Sequence, residues 1–278
     1  MVQQKDHFQS GDYRSLIDWA PRLRREAPFL TESLGPPQGG TIIDLGCGTG
    51  EHARWLASVG WYAIGGDSSP NQIEAARAYE GEFGERGPYF RCADMADLGE
   101  VCDWIQSDSP LPAGALQGDR RFAGALCVGN VLPYFEEEEL AARLSVLARH
   151  LVPGAPLLVQ ILNYQRIRAK GVRSLPLNVR PDPDDPSGEI VWLRLLSIED
   201  EEHLCFVPAT LQYRPHEEKP LVIRSARRIR VRSWTAPELE ALARSAGFGE
   251  FTRYGGMSRC EFVEEESHDL VFVTSIPG

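Results

Sequence analysis

A glycine-rich turn that follows an apolar strand carries the clearest chemical meaning in this sequence. The stretch reads Ile42-Ile43-Asp44-Leu45-Gly46-Cys47-Gly48-Thr49-Gly50 and leads directly into a helical pattern. Glycine is needed where a backbone turns sharply or approaches a ligand closely, because a Cβ atom would block both. The pattern therefore predicts a ligand above the carboxyl end of this strand, where doubly wound sheets bind nucleotides.

The spacing of the glycines and the acid before them narrow the choice of ligand. The dinucleotide fingerprint is G-x-G-x-x-G, whereas Gly46, Gly48 and Gly50 give G-x-G-x-G. Asp44 would repel a pyrophosphate, but it suits a cationic ammonium group, which it could contact directly or through a water molecule. A dinucleotide-dependent oxidoreductase is therefore the disfavoured alternative.

Two further acids lie where the next two predicted strands end. Asp67, 23 residues after Asp44, is placed to accept hydrogen bonds from ribose hydroxyls. Asp94 is placed to accept a hydrogen bond from an adenine amino group, with Ser68 and Met95 against the faces of the ring. Any one of these acids could be an ordinary turn residue, since aspartate is common in turns. Three acids at three consecutive strand ends favour an adenosyl-binding site.

The elements that must position these residues alternate between strands and helices. Strands are predicted at 41–45, 62–66, 89–92, 122–128 and 156–161. Helices are predicted at 13–34, 50–59, 70–83 and 136–151. Such alternation is typical of βαβ units that build a mainly parallel sheet.

The pattern changes after residue 163. Strand-like runs at 189–196, 203–213 and 221–234 are predicted to be antiparallel, and a helix at 235–246 with strands at 248–254 and 268–276 completes the chain. The predicted fold class is α/β: a Rossmann-like, doubly wound, mainly parallel sheet with a late antiparallel β insertion. We expect one domain over residues 1–278, with a helical N-terminal cover at 1–40 and the insertion at 165–234.

Charge and cysteine content restrict the partners. The formal net charge of −11 repels phosphate backbones and anionic lipids, so neither nucleic acid nor a membrane is expected as a partner. The six cysteines form no C-x-x-C pair, which predicts reduced thiols without a metal site or a disulfide framework. The first ten residues lack the apolar run of a signal peptide. These features predict a cytoplasmic protein.

The motifs resemble those of the class I S-adenosylmethionine-dependent methyltransferases. The resemblance rests on the stretch from Asp44 to Gly50, on Gly65-Gly66-Asp67 and on Leu151-Val152-Pro153-Gly154. Within that class the chain is most similar to the glycine and sarcosine N-methyltransferase group, through Arg22, Val128-Gly129-Asn130 and Asn163-Tyr164. The resemblance implies S-adenosylmethionine as methyl donor, S-adenosylhomocysteine as product and a small-molecule acceptor.

The acceptor atom stays open at this stage. N-methylation is slightly favoured by the resemblance, and O- or C-methylation of a small metabolite and a non-catalytic S-adenosylmethionine-binding protein are the alternatives. Glycine itself is a poor candidate for the acceptor, because Leu162 stands where the group has an arginine for the substrate carboxylate, and Gln165 replaces an expected acid. The oligomeric state is not predicted.

The resemblance also implies roles for further residues. Arg22 corresponds to an arginine that binds the cofactor carboxylate, and Tyr13 or Trp19 would close over the methionine chain. At the carboxyl strand ends, Asn130 and Tyr164 are the predicted catalytic residues, with Tyr134 and Asn163 as further candidates for the acceptor side. The predicted cofactor-binding set is Tyr13, Trp19, Arg22, Asp44, Gly46, Cys47, Gly48, Asp67, Ser68, Asp94, Met95, Val128 and Gly129.

Overall fold

The structure, a computed structural model, contains two β-sheets. It describes residues 12–119 and 121–278, with side chains from Arg14 onward. Its α-helices are α1 (Asp12–Leu16), α2 (Trp19–Leu34), α3 (Glu51–Ser58), α4 (Pro70–Ala76), α5 (Leu98–Ser107), α6 (Glu137–Arg149), α7 (Tyr164–Ala169) and α8 (Ala236–Ser245). Its strands are β1 (Thr41–Leu45), β2 (Tyr62–Asp67), β3 (Tyr89–Cys92), β4 (Gly124–Cys127), β5 (Pro156–Leu162), β6 (Asn178–Asp182), β7 (Asp185–Ile198), β8 (His203–Tyr213), β9 (Leu221–Ala226), β10 (Ile229–Arg232), β11 (Thr252–Tyr254) and β12 (Asp269–Ser275).

The larger sheet confirms the predicted α/β class. Its strand order is β3-β2-β1-β4-β5-β12-β11, with β1 to β5 parallel and the last two strands antiparallel to their neighbours. Every residue of β1 is buried, as expected for a central parallel strand covered by helices on both faces. Because β1 to β4 are parallel, their carboxyl ends meet at one edge, and the loops that follow them face the same space.

Apolar side chains fill both faces of this sheet. On one face, Phe29 and Leu30 of α2 pack with Ile42, Leu126 and Leu158 from the central strands. On the other face, α5, α6 and α8 form a second core that also includes the inner side of the smaller sheet. The single-domain organisation stays a prediction, and this shared core supports it.

The smaller sheet contains the predicted antiparallel insertion, with order β10-β8-β7-β6 and β9 paired to β8. One detail of the prediction was wrong: the run at 221–234 forms two strands, since β9 and β10 are separate partners of β8. The structure also contains a hairpin that was not predicted, in which β6 pairs with the start of β7 through Asp182 and Asp185.

The helices also depart in places from the sequence pattern. The predicted N-terminal helix is divided into α1 and α2, and α4 ends at Ala76, where a short 3-10 turn follows. α5 was not predicted, although its buried Leu98, Val101 and Ile105 have helical spacing. The capping box between Thr235 and Glu238 forms at the start of α8 as the sequence indicates. Among the described helices, none is both long and apolar enough to cross a bilayer.

Candidate functional site

A cavity of about 420 Å³ lies at the carboxyl edge of the larger sheet. Its walls come from the ends of β1 and β2, from the loops after β1 to β4 and from helices α2 to α6. Of the predicted cofactor-binding residues, those that line it are Trp19, Arg22, Gly46, Cys47, Gly48, Asp67, Ser68, Asp94, Met95, Val128 and Gly129. The tertiary structure therefore brings together residues separated by more than a hundred positions in the chain.

The glycine turn packs tightly enough to exclude side chains. The Gly46 amide donates to the Gly66 carbonyl at 2.8 Å, which anchors the turn to the neighbouring strand end. Gly46 has φ +67°, and a Cβ there would lie 2.5 Å from the Val131 side chain. Gly50 has φ +88°, and a Cβ there would lie 2.5 Å from the Phe90 ring. The turn thus presents backbone directly to the cavity, as its sequence predicts.

Asp67 joins the two strand ends beneath the cavity. Its Oδ2 accepts from the Gly48 amide at 2.9 Å, and its Oδ1 accepts from the Ser69 amide at 2.8 Å. The Asp67 carboxylate is therefore held in place by backbone donors at the lining of the cavity.

Asp44 does not line the cavity, contrary to the simplest form of the prediction. The side chain is 1% exposed, and among the described residues neither carboxylate oxygen has a hydrogen-bond partner of good geometry; the Ala53 amide makes only the smallest contribution to stabilising its charge. Burial raises the pKa of Asp44 to about 6; His52 opposes the rise, whereas the charges of Asp67 and Glu51 add to it. A buried carboxylate of this kind is stabilised by any cation that approaches it.

A polar cluster at the start of α2 forms one end of the cavity. Arg22 Nε donates to Glu26 Oε1 at 2.8 Å, and Glu26 Oε2 lies 2.8 Å from His52 Nε2. The Trp19 ring packs edge-on against His52, with centroids 5.7 Å apart, and the Arg22 guanidinium lies 4.8 Å from the Trp19 ring. Burial opposes the ionisation of Glu26, but His52 and Arg22 outweigh it and lower the Glu26 pKa to about 2.

The structure distinguishes Arg22 from the two neighbouring arginines as a candidate for cofactor binding. Arg24 and Arg25 are exposed, whereas Arg22 lines the cavity beside the glycine turn. Sequence reasoning overlooked His52, which directly follows Gly50-Glu51 and is 4% exposed. Its position in the first turn of the helix after the glycine loop was the signal that could have identified it.

The Asp94 carboxylate makes more hydrogen bonds within the protein than the prediction of an adenine contact assumed. Its Oδ1 accepts from Arg143 Nε and from the Ala96 amide, both at 2.8 Å, and its Oδ2 accepts from Arg143 Nη2 at 3.0 Å. The Arg143 guanidinium also lies 4.3 Å from the Phe135 ring, and all but Ala96 line the cavity. The Asp94 side chain also accepts from the Asp97 amide in a capping box, so little acceptor capacity is left for an adenine amino group.

Asn130 and Tyr164, the predicted catalytic residues, bind each other and do not line the cavity. Asn130 Nδ2 donates to the Tyr164 hydroxyl at 2.8 Å, and Asn130 Oδ1 accepts from the Leu162 amide at 2.9 Å. Tyr164 is 1% exposed, and burial raises its pKa well above the usual range. In this arrangement the pair connects the ends of β4 and β5, and the expectation of direct contact with the reacting atoms needs correction.

Of the two further acceptor-side candidates, one lines the cavity and the other is buried. Tyr134 lines the cavity, as a residue of the acceptor side should. Asn163 is buried; it caps α7 and donates to the carbonyls of Glu264 and Ser267 at 2.7 and 2.9 Å. The side chain of Tyr13 lies outside the described residues. Over residues 12–119 and 121–278, no group of three or more His, Cys, Asp or Glu side chains is arranged to hold a metal ion.

Comparisons with known proteins agree with this geometry. Residues 42–154 match the family described as "Methyltransferase domain". The glycine/sarcosine N-methyltransferase of Parasynechococcus marenigrum is 26% identical over 178 residues, 61% of this chain and 57% of that protein. The O-methyltransferase cnsE of Penicillium expansum is 27% identical over 192 residues, 66% of this chain and 55% of that protein. The chain thus spans little more than half the length of these curated relatives.

Solved structures share the whole architecture. The CcbJ methyltransferase from Streptomyces caelestis superposes with a TM-score of 0.67 over 97% of both chains, at 20% identity. At that identity the similarity concerns the fold: a mainly parallel central sheet with a separate antiparallel sheet.

Proposed function

We propose that this chain, whose residues 42–154 form a class I S-adenosylmethionine-dependent methyltransferase domain, transfers a methyl group to a small-molecule acceptor, with nitrogen favoured over oxygen or carbon. One observation carries the proposal. The cavity brings together a close-approach glycine turn and Asp67, and the buried carboxylate of Asp44, outside the lining, belongs to the strand that leads into this turn. Similarity to a glycine/sarcosine N-methyltransferase supports nitrogen as the attacking atom.

The residues present fit S-adenosylmethionine. The buried Asp44 carboxylate, without a hydrogen-bond partner of good geometry among the described residues, suits the ammonium group of the methionine moiety. The Arg22 guanidinium, which is held by Glu26, suits its carboxylate. The Asp67 carboxylate, which lines the cavity, suits ribose hydroxyls, and the glycine turn brings backbone to the cavity lining. A pyrophosphate at the glycine turn would lie beside the Asp67 carboxylate, which accepts from the Gly48 amide.

The bound cofactor would supply an electrophilic methyl group on a positively charged sulfur. The protein's own task is then to hold the acceptor against that methyl and to exclude water. Trp19, Val131, Tyr134 and Phe135 supply aromatic and apolar wall to the cavity. An amine acceptor that binds in its unprotonated form needs no strong base, which agrees with the burial of Tyr164.

Thermal unfolding with S-adenosylhomocysteine, and in parallel with NADH, tests the cofactor assignment. At about a hundredfold its dissociation constant, a ligand stabilises the native state by about 2.7 kcal/mol, or about 5 to 10 °C in midpoint for a chain of this size. A shift with S-adenosylhomocysteine alone is expected. A shift with NADH alone would replace the proposal with an oxidoreductase.

A panel of acceptors tests the transfer itself. Primary and secondary amines, phenols and alcohols are incubated with methyl-labelled S-adenosylmethionine, and the label is followed by mass spectrometry. We expect label on an amine, with a rate that rises with pH as the acceptor loses its proton. Label on phenols or alcohols alone would make this an O-methyltransferase, as its similarity to a fungal O-methyltransferase allows. Tight cofactor binding without any labelled acceptor would favour a non-catalytic binding protein.

The cellular setting is part of the proposal. Among the described residues the six cysteines form no disulfide, and four of them are buried, which suits a reducing cytoplasm. The net charge of −11 argues against nucleic acid as acceptor. The two sheets are proposed to fold as one domain because their inner faces share one apolar core.

A further inference from the structure

Gln72 is a buried polar residue at the cavity that the sequence analysis did not identify. It lies in the first turn of α4, whose N-cap Ser69 accepts a hydrogen bond from the Gln72 amide backbone at 3.3 Å. The residue is 2% exposed and lines the cavity. Among the described residues, neither its side-chain oxygen nor its side-chain nitrogen has a hydrogen-bond partner.

Such an arrangement destabilises the protein on its own. Buried polar side chains are nearly always hydrogen-bonded, and an amide left without a partner loses its hydration without compensation. Methionine or leucine would fill the same volume without that cost. An amide in this position therefore indicates a partner that is not part of the chain.

The neighbours of Gln72 show which part of the cofactor is nearest. Its helix, α4, packs against β2 and β3, whose carboxyl ends contribute Asp67, Asp94 and Met95 to the cavity lining. The proposed site assigns these strand ends to the adenosyl group and Arg22 to the cofactor carboxylate. Gln72 thus lies on an element next to the strand ends that the proposal assigns to the nucleoside.

The hydrogen-bonding capacity of Asp94 leaves a role for a second residue. Asp94 retains little acceptor capacity, because Arg143 and the backbone amides of the turn that follows use its oxygens, and a carboxylate donates nothing. An adenosyl group presents ring nitrogens and ribose oxygens that need donors, as well as an amino group and hydroxyls that need acceptors. A glutamine amide supplies two donors and one acceptor, and it can pair with adenine in a bidentate manner.

We propose that the Gln72 side chain is a nucleoside-binding residue, which donates to and accepts from the adenosyl group of the cofactor where Asp94 cannot. This inference rests on the proposed use of S-adenosylmethionine. It implies that Gln72 lowers the stability of the apo protein and raises its affinity for the cofactor. Removal of the amide should therefore stabilise the apo protein and weaken cofactor binding. A residue with only a packing role would not separate these two effects.

The test compares Gln72→Met with the wild type in calorimetric binding and thermal unfolding. The probes are S-adenosylhomocysteine and 5′-methylthioadenosine, which share the nucleoside but differ in the amino-acid portion. We expect both ligands to bind about tenfold more weakly to the variant, the effect of one or two lost hydrogen bonds, while the apo midpoint stays equal or rises. Ile73→Val, a packing change at the next buried position of α4, is the matched control and should lower the midpoint without altering either affinity.

Three results would overturn the inference. Affinities within twofold of the wild type would show that the amide makes no ligand contact. A loss confined to S-adenosylhomocysteine would place Gln72 at the amino-acid end. A lower apo midpoint with reduced binding, repeated in Gln72→Leu, would reveal a packing role. Failure of the proposed function is separate from these, since it would appear as absence of S-adenosylhomocysteine binding in the wild-type protein.

Discussion

Replacement of Asp44 by asparagine tests the balance between stability and cofactor binding at the centre of the site. The two side chains are nearly equal in size, so Asp44→Asn removes the charge and leaves the packing almost unchanged. The pKa of Asp44 is raised from 3.8 to about 6, chiefly by burial. At 1.36 kcal/mol for each pKa unit, the ionised carboxylate destabilises the folded state by about 3 kcal/mol.

The sign of this effect predicts a specific pH dependence. Between pH 4 and 6 the folded protein retains a proton on Asp44 that the unfolded chain has released, so stability falls as pH rises through this window. The penalty is absent below pH 4 and complete above pH 6. The Asp44→Asn variant has no such penalty, and its advantage over the wild type should grow from near zero at pH 4 to about 3 kcal/mol at pH 7.5.

Urea denaturation of both proteins from pH 4.5 to 8 measures the difference directly. Binding of S-adenosylhomocysteine should change in the opposite direction: the variant loses about 10- to 100-fold in affinity at pH 7.5, the magnitude of a charge-assisted contact. Wild-type affinity should also weaken below pH 6, as Asp44 takes up its proton. A stability difference that does not vary with pH would refute the buried-charge argument. A stabilised variant with unchanged affinity would refute the contact with the ammonium group.

Three more substitutions examine other parts of the site. Asp67→Asn removes the charge and one acceptor oxygen, so the thermal shift with S-adenosylhomocysteine should fall to less than half; an unchanged shift would contradict ribose binding by Asp67. Tyr164→Phe leaves the Asn130 amide without its partner and should lower the free energy of unfolding by about 1 to 2 kcal/mol with kcat nearly unchanged. A fall in kcat of about a hundredfold, the size of general acid–base catalysis, would restore Tyr164 as a catalytic residue. Because the Glu26 pKa is lowered to about 2, its ionised form stabilises the protein above pH 4.5, and this contribution disappears as pH falls toward 2. Glu26→Gln should therefore have a lower free energy of unfolding than the wild type at pH 7, and the difference should narrow at pH 3. An equal difference at both pH values would rule out the pairing with His52.

The sequence alone was sufficient for the parts of the site that depend on neighbours in the chain. Three glycines at alternate positions require a tight turn, and an acid at the end of each parallel strand must reach the same edge of the sheet, because parallel strands share their direction. Asp67 and Asp94 were located on this basis. Element types followed from hydrophobic periodicity, and the boundaries shifted by a few residues where caps and breaks in helices decided them.

Only the tertiary structure decided how these residues are partnered. Arg143 reaches Asp94 across 49 positions, Tyr164 reaches Asn130 across 34, and His52 reaches Glu26 across 26. No spacing rule connects residues on separate elements, because their contact depends on how the helices pack against the sheet. Burial is decided in the same way. Tyr164, at a carboxyl strand end, was predicted to face the acceptor and instead lies in the core. Gln72 is one polar residue among several in its helix, and it lines the cavity because α4 packs beside β2 and β3.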